Sequence, residues 1–145
     1  LLDIARRWTA EGADIIDLGC EPGKRWEKVA SAVQALVAEG IRCSIDTFDV
    51  EEASQATRAG ASLVLSVNQS NVQAALDWGK EVVVIPDGAA LADTSDDHAA
   101  VLHSLDATIH LLDQHRIPYR IDSILEPIGC GFARSLHRYH QVRIR

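Results

Sequence analysis

Five times along the sequence an apolar run gives way to an acid or an amide: Asp17-Leu18-Gly19-Cys20-Glu21, Ser44-Ile45-Asp46-Thr47, Ser66-Val67-Asn68, Pro86-Asp87-Gly88 and Asp122. Carboxylates only accept hydrogen bonds, an amide adds a donor, and no cluster of lysines accompanies them. Brought to one mouth, such groups suit a neutral heterocycle rich in ring N–H and amino groups and repel a polyanion. Asp and Asn also favour turns and helix caps, and Asp49 and Asp96 read best as caps. Asp17, Asp46 and Asp122 differ, because each closes an apolar strand where burial otherwise selects a hydrophobic side chain.

The elements that must position these residues follow from periodicity. Leu1, Ile4, Ala5 and Trp8 keep the spacing of an amphipathic helix, which Gly12 stops, and a strand over 13–18 follows. Helices over about 26–39, 50–59 and 71–78 end at Gly40, Gly60 and Gly79, and lead into strands over 41–46, 62–67 and 81–85. The longest helix covers 96–115, a fifth strand 119–121, and Glu126-Pro127-Ile128-Gly129-Cys130-Gly131 forms a Gly-rich loop before a last helix from about Ala133. This alternation means an α/β fold with a parallel sheet. Two architectures accommodate it: a doubly wound sheet, which length favours because a whole barrel takes about 250 residues, and part of a (β/α)8 barrel, which the placement of polar residues favours. Both put the ligand at the carboxyl ends of the strands.

The 145 residues form one domain, 1–145. Hydrophobic residues at 47% and charged residues at 24% are globular averages and exclude disorder. Fourteen Lys+Arg against 21 Asp+Glu give a net charge of −7, the wrong sign for a nucleic-acid partner. No apolar run approaches a membrane span, and the first residues lack a signal-peptide pattern, so the expectation is a cytoplasmic protein with no membrane partner. Cys20, Cys43 and Cys130 are too few and too scattered for a disulfide framework or a zinc site. There is no methionine, even at position 1, and the chain opens already in helical rhythm, which reads as a segment of a longer protein.

Gly12-Ala13-Asp14-Ile15-Ile16-Asp17-Leu18-Gly19, then Ser44-Ile45-Asp46-Thr47, then an Asn-containing strand end, then an Asp ahead of a Gly-Phe loop, resemble the dihydropteroate synthase family and its pterin-binding relatives. The stretch from Asp122 through Glu126-Pro127-Ile128-Gly129-Cys130-Gly131-Phe132, with Ser135, Leu136, Arg138 and Tyr139 after it, is most similar to the tetrahydromethanopterin-type relatives. The resemblance implies a (β/α)8 barrel, of which about five βα units are present, matching its strands two to six. It implies a pterin in the mouth, bound by Asp46, Asn68 and Asp122, with Asp17, Glu21, Thr47 and Ser66 supporting those residues or their loops. The implied reaction joins an arylamine to a pterin methyl diphosphate in folate or methanopterin biosynthesis, with magnesium expected in the complete protein.

Departures from the family pattern suggest other roles. Cys20-Glu21-Pro22-Gly23 replaces a loop that carries Ser-Thr-Arg in the family, Leu65 stands where an Asn is usual, and Ile85-Pro86-Asp87-Gly88 replaces a Met-His element. The alternatives are a module that binds a pterin or methyltetrahydrofolate without condensation, or an inactive barrel piece that self-assembles. Open sheet edges seek partners, so a homodimer is expected.

The remaining motifs have plainer readings beside their chemical ones. Gly131, Arg134 and Ser135 could hold a phosphate at a helix start, although a Gly loop of this length is equally a plain turn. Arg134, Arg138, Arg143 and Arg145 read as a solvated face. His103 and His110 lie two turns apart, about 10 Å, too far to share an ion, and no acid has matching spacing beside His137 and His140. Cys20 has no basic neighbour in sequence to activate it and reads as a small filler. Trp8, Trp26 and Trp78 fall on helices as packing residues.

Overall fold

The computed structural model describes residues 1–88 and 98–144. The expected cap at Asp96 and the last arginine, Arg145, lie outside the described residues. The elements run α1 (Leu2–Ala10), β1 (Ile16–Gly19), α2 (Val29–Ala38), β2 (Cys43–Asp46), α3 (Val50–Ala59), β3 (Leu63–Val67), α4 (Val72–Ala75), β4 (Glu81–Val84), α5 (Ala99–Gln114), β5 (Tyr119–Ile121) and α6 (Phe132–Arg143). No helix among the described residues is long and apolar enough to cross a membrane.

All strand pairs are parallel, and their order in space is β1-β2-β3-β4-β5. A doubly wound sheet reverses its direction of growth at a switch point, and this sheet does not. The doubly wound alternative is therefore overturned, and the chain forms an arc of a barrel. The side on which each connection returns is a matter of tertiary packing, which helix and strand periodicity does not encode.

The two faces of the arc differ in chemistry. Ile16, Leu18, Ile45, Val64, Val82 and Val84 share one core with Val33 and Leu36 of α2 and Leu105 and Leu112 of α5, so this is the helix-covered face. Alternation along the strands sends Asp17, Ser44, Asp46, Glu81 and Arg120 to the other face, with Leu63, Leu65 and Val83 between them. There Arg120 donates from Nε and Nη2 to the two Glu81 oxygens at 2.8 and 3.2 Å, tying the three-residue β5 to β4.

Local stop and start signals explain most boundaries. Gly60 caps α3 at φ 118°, and a Cβ there would lie 3.0 Å from Val37 Cγ2, so glycine permits both the turn and the close approach of α2. Helix α4 is shorter than its periodic pattern over 71–78. Past Ala75 the backbone bonds tighten to three-residue spacing, Asp77 to Ala74 and Trp78 to Ala75, and helix gives way to turn.

Asp49 is the cap its sequence position suggests: Oδ1 accepts from the N–H groups of Glu51 and Glu52 at 2.8 and 3.1 Å. Burial alone would raise its carboxyl pKa, but the Arg25 guanidinium and these two N–H groups outweigh burial and hold it below the usual range. Replacing Asp49 by alanine is expected to lower unfolding stability by about 1–2 kcal/mol at neutral pH, read from urea denaturation by circular dichroism. A depressed native pKa means that the carboxylate stabilises above its unfolded value and loses that contribution as pH falls, so the difference between wild type and variant should narrow in acid.

Candidate functional site

The carboxyl ends of all five strands share one rim because the strands are parallel and adjacent in order. Three carboxylates have one oxygen held by a hydroxyl: Asp46 and Asp122 at this rim, and Asp17, which does not close its strand as expected but sits two residues below the end of β1 because the pairing with β2 continues to Gly19. Ser44 Oγ donates to Asp17 Oδ1 at 2.7 Å, across the β1–β2 register pair, and Ser66 Oγ donates to Asp46 Oδ1 at 2.5 Å. Tyr139 Oη donates to Asp122 Oδ1, which also accepts the Ile124 N–H at 2.7 Å. Among the described residues the second oxygen of each carboxylate takes no hydrogen bond. Asp87 differs: Oδ1 accepts the Gln69 N–H and Oδ2 accepts Ser104 Oγ, so that acid holds loops together.

Asn68 is largely buried, and its Oδ1 accepts both the N–H and the hydroxyl of Ser70, at 2.9 and 2.6 Å. The Asn68 acceptor is thus spent on its own turn, and only the Nδ2 donors remain for another partner.

Beside the rim, the loop from Gly19 to Lys28 encloses a cleft of about 550 Å³ that Cys20, Lys24, Arg25, Trp26 and Lys28 help to line. Two anchors tie this loop to the start of α3. Arg25 donates from Nε and Nη2 to Asp49 Oδ2 at 3.0 and 2.9 Å, and beneath it the Trp26 N–H reaches Glu52 Oε1 at 2.5 Å. Glu52 is 2% exposed, and its other oxygen accepts the Thr47 hydroxyl. An acid at the third position of a capped helix usually reaches back to its own cap. Here the Asp49 N–H bonds to Thr47 Oγ1 instead, and Glu52 is free to hold the loop. Burial, then the Glu52 hydrogen bond, pushes the Cys20 thiol up to about 12, so it is not a thiolate near neutral pH. Glu21 is exposed beside Lys24, 3.7 Å from its ammonium.

After β5 the loop is gripped by α6. Arg138 is 5% exposed and donates from Nε to the Ser123 carbonyl at 2.6 Å and from Nη2 to the Ile124 carbonyl. The reading of the arginine run as a solvated face is corrected at this position: two carbonyls repay the desolvation of the guanidinium, which burial otherwise penalises. Ser135 is fully buried, accepting the Glu126 N–H and donating to the Phe132 carbonyl. This corrects the expectation of a phosphate contact there, since the hydroxyl is spent on the turn around Gly131 and does not reach outward beside Arg134. Ser135, Arg138, Tyr139 and Val142 recur at helical spacing, a mixed polar stripe that the spacing of apolar residues alone does not mark. Among the described residues no three His, Cys, Asp or Glu side chains stand close enough to share a metal ion.

Comparison with known proteins decides the family. The family model described as pterin binding enzyme matches residues 1–117. The chain belongs to that family. Among solved structures, the dihydropteroate synthase of Thermus thermophilus in complex with 6HMPPP is 28% identical with a TM-score of 0.74, over 97% of this chain and 60% of that one. The Xanthomonas albilineans dihydropteroate synthase in complex with 7,8-dihydropteroate is 26% identical with a TM-score of 0.72, over 94% of this chain and 55% of that one. An uncharacterized protein of Methanocaldococcus jannaschii is 29% identical over 137 residues, 86% of this chain and 26% of that protein. The chain thus spans little more than half of these solved pterin-family chains and about a quarter of the curated relative it matches. It is an arc of a (β/α)8 barrel related to that of dihydropteroate synthase.

Two changes test this arrangement. Replacing Glu52 by alanine strands buried donors and should cost about 3 kcal/mol in denaturant unfolding, more than an exposed acid on the same helix. Burial first, then the Asp122 bond, pushes the Tyr139 hydroxyl up to about 12. Because its native pKa lies above the unfolded value of about 10, the contribution is full below that pH and lost as pH rises toward 12. Replacing Tyr139 by phenylalanine should flatten the alkaline fall in melting temperature over that window.

Proposed function

We propose that this chain forms the pterin-binding wall of a dihydropteroate synthase-like transferase. The carrying observation is that Asp17, Asp46 and Asp122 each have one oxygen pinned by a hydroxyl and the other without a partner among the described residues. A pterin edge offers an amino group and ring N–H groups, which need acceptors that are fixed in place. Asp46 and Asp122 supply them, Asp17 supports the rim from within the sheet, and Asn68 Nδ2 offers the donor that carboxylates lack. Binding in this way orients the pterin rather than activating it.

In the whole protein, the reading is that an arylamine nitrogen bonds to the pterin methylene carbon while the carbon–oxygen bond to diphosphate breaks. Diphosphate leaves with the electron pair and the amine gives up a proton. The finer assignment to a methanopterin-type pterin rests on the sequence between Asp122 and Phe132. One observation favours a second reading, binding without condensation. In the Gly19–Lys28 loop two of the three cations stand against acids, Arg25 on Asp49 and Lys24 beside Glu21, which leaves Lys28 alone among the described residues of that loop as a holder of the leaving group.

Calorimetric titration with 6-hydroxymethylpterin tests the shared core of both readings. Micromolar binding is expected, weakened about tenfold or more by Asp46→Asn and by Asp122→Asn with melting temperature preserved. Absence of binding by the folded chain, or affinity that neither substitution changes, would remove the pterin from this rim.

A further inference from the structure

Ser66 combines two features that belong together. It lies where the pairing of β3 with β4 shifts register between Val64 and Val67, and its backbone is left-handed, at φ 67°. A residue with a Cβ adopts that conformation at a cost in stability, and such costs persist where the surrounding structure uses the geometry they create. Here the turned backbone has two bonded outcomes: the Ser66 hydroxyl meets Asp46 Oδ1 at 2.5 Å, and its carbonyl accepts Asn71 Nδ2 at 3.2 Å. Regular β geometry alternates sides along the strand, and the shift in register is what lets Ser66 face its neighbour's acid from this position.

The same pairing of strain and carboxylate recurs two strands away. Ile124 is also left-handed, at φ 63°, which is rarer still for a β-branched residue, and its N–H donates to Asp122 Oδ1. Thus two of the four non-glycine residues with positive φ among the described residues each hold one oxygen of a rim carboxylate. Leu65, the register partner of Asp46 on β3, has a hydrocarbon side chain that cannot hydrogen-bond the acid, and the hydroxyl of the residue after it does.

We propose that Ser66 is a positioning residue for the pterin-binding rim: the bulged, left-handed backbone of β3 turns its hydroxyl onto one oxygen of Asp46 and thereby fixes the other oxygen as the ligand acceptor. This rests on the pterin reading for its ligand, but the fixing of Asp46 is a property of the chain itself.

The test compares wild type, Ser66→Gly and Ser66→Asn. Glycine removes the hydroxyl and accepts the left-handed backbone freely, so melting temperature should stay level or rise while affinity for 6-hydroxymethylpterin falls about tenfold. Asparagine tolerates the same backbone and brings an amide donor, and should recover most of that affinity. In parallel, three-bond NMR couplings about the Asp46 Cα–Cβ bond should report one rotamer in wild type and averaging in the glycine variant. A glycine variant that binds as tightly as wild type, or an asparagine variant no better than glycine, overturns the proposal. If the wild-type chain binds no pterin, the pterin reading fails by itself, and the couplings still decide the positioning role: an Asp46 side chain that keeps one rotamer without the Ser66 hydroxyl sinks it.

Discussion

Everything at the rim depends on the parallel register of five short strands. Parallel pairing in sequential order points every carboxyl end the same way, and the two-residue period of a strand then assigns each side chain to helix or to interior. Since the helices cover one face with Val, Ile and Leu, the polar residues have only the other face to occupy. Barrel interiors are commonly packed with branched aliphatic side chains. In this arc Asp17, Ser44, Asp46, Glu81 and Arg120 interrupt that filling, and each is satisfied by a neighbour across the sheet rather than by solvent alone. Satisfaction matters because an unpaired polar group away from water costs more than a paired one gains.

The supports of the rim come from outside it. Tyr139 and Arg138 reach in from α6, Glu52 from α3, and Ser44 and Ser66 from the adjoining strands. Each leaves the carboxylate or loop it holds with fewer conformations, which is how a binding surface lowers the ordering cost it would otherwise pay on meeting its ligand.

Much of this architecture was legible in the residues. Gly40, Gly60 and Gly79 separate helix from strand, and Asp46 and Asp122 announce themselves as acids that close apolar strands. The helix over 50–59 needed only Asp49 before it and Gly60 after it. What stayed hidden has physical reasons. Barrel and doubly wound sheet share one alternating pattern and differ only in where successive units pack. Glu52 sits where a capped helix commonly carries an acid, so its sequence position gives no hint that it reaches across to Trp26. Arg138 reads as one of several exposed cations until the carbonyls of Ser123 and Ile124 are placed beside it. The left-handed turn at Ser66 has no glycine to signal it.

The reach of Glu52 also bears on how such a barrel can evolve. A chain of repeated strand-and-helix units invites the view that each loop varies on its own, and that a loop borrowed from a relative would carry its shape with it. Here the loop after β1 takes its shape from a carboxylate 26 positions downstream, in the helix after the next strand. A change in one of the two segments therefore bears on the other. A borrowed loop that brings no N–H to Glu52 leaves a buried carboxyl oxygen without its partner, and the effect of the exchange then depends on a residue in another unit.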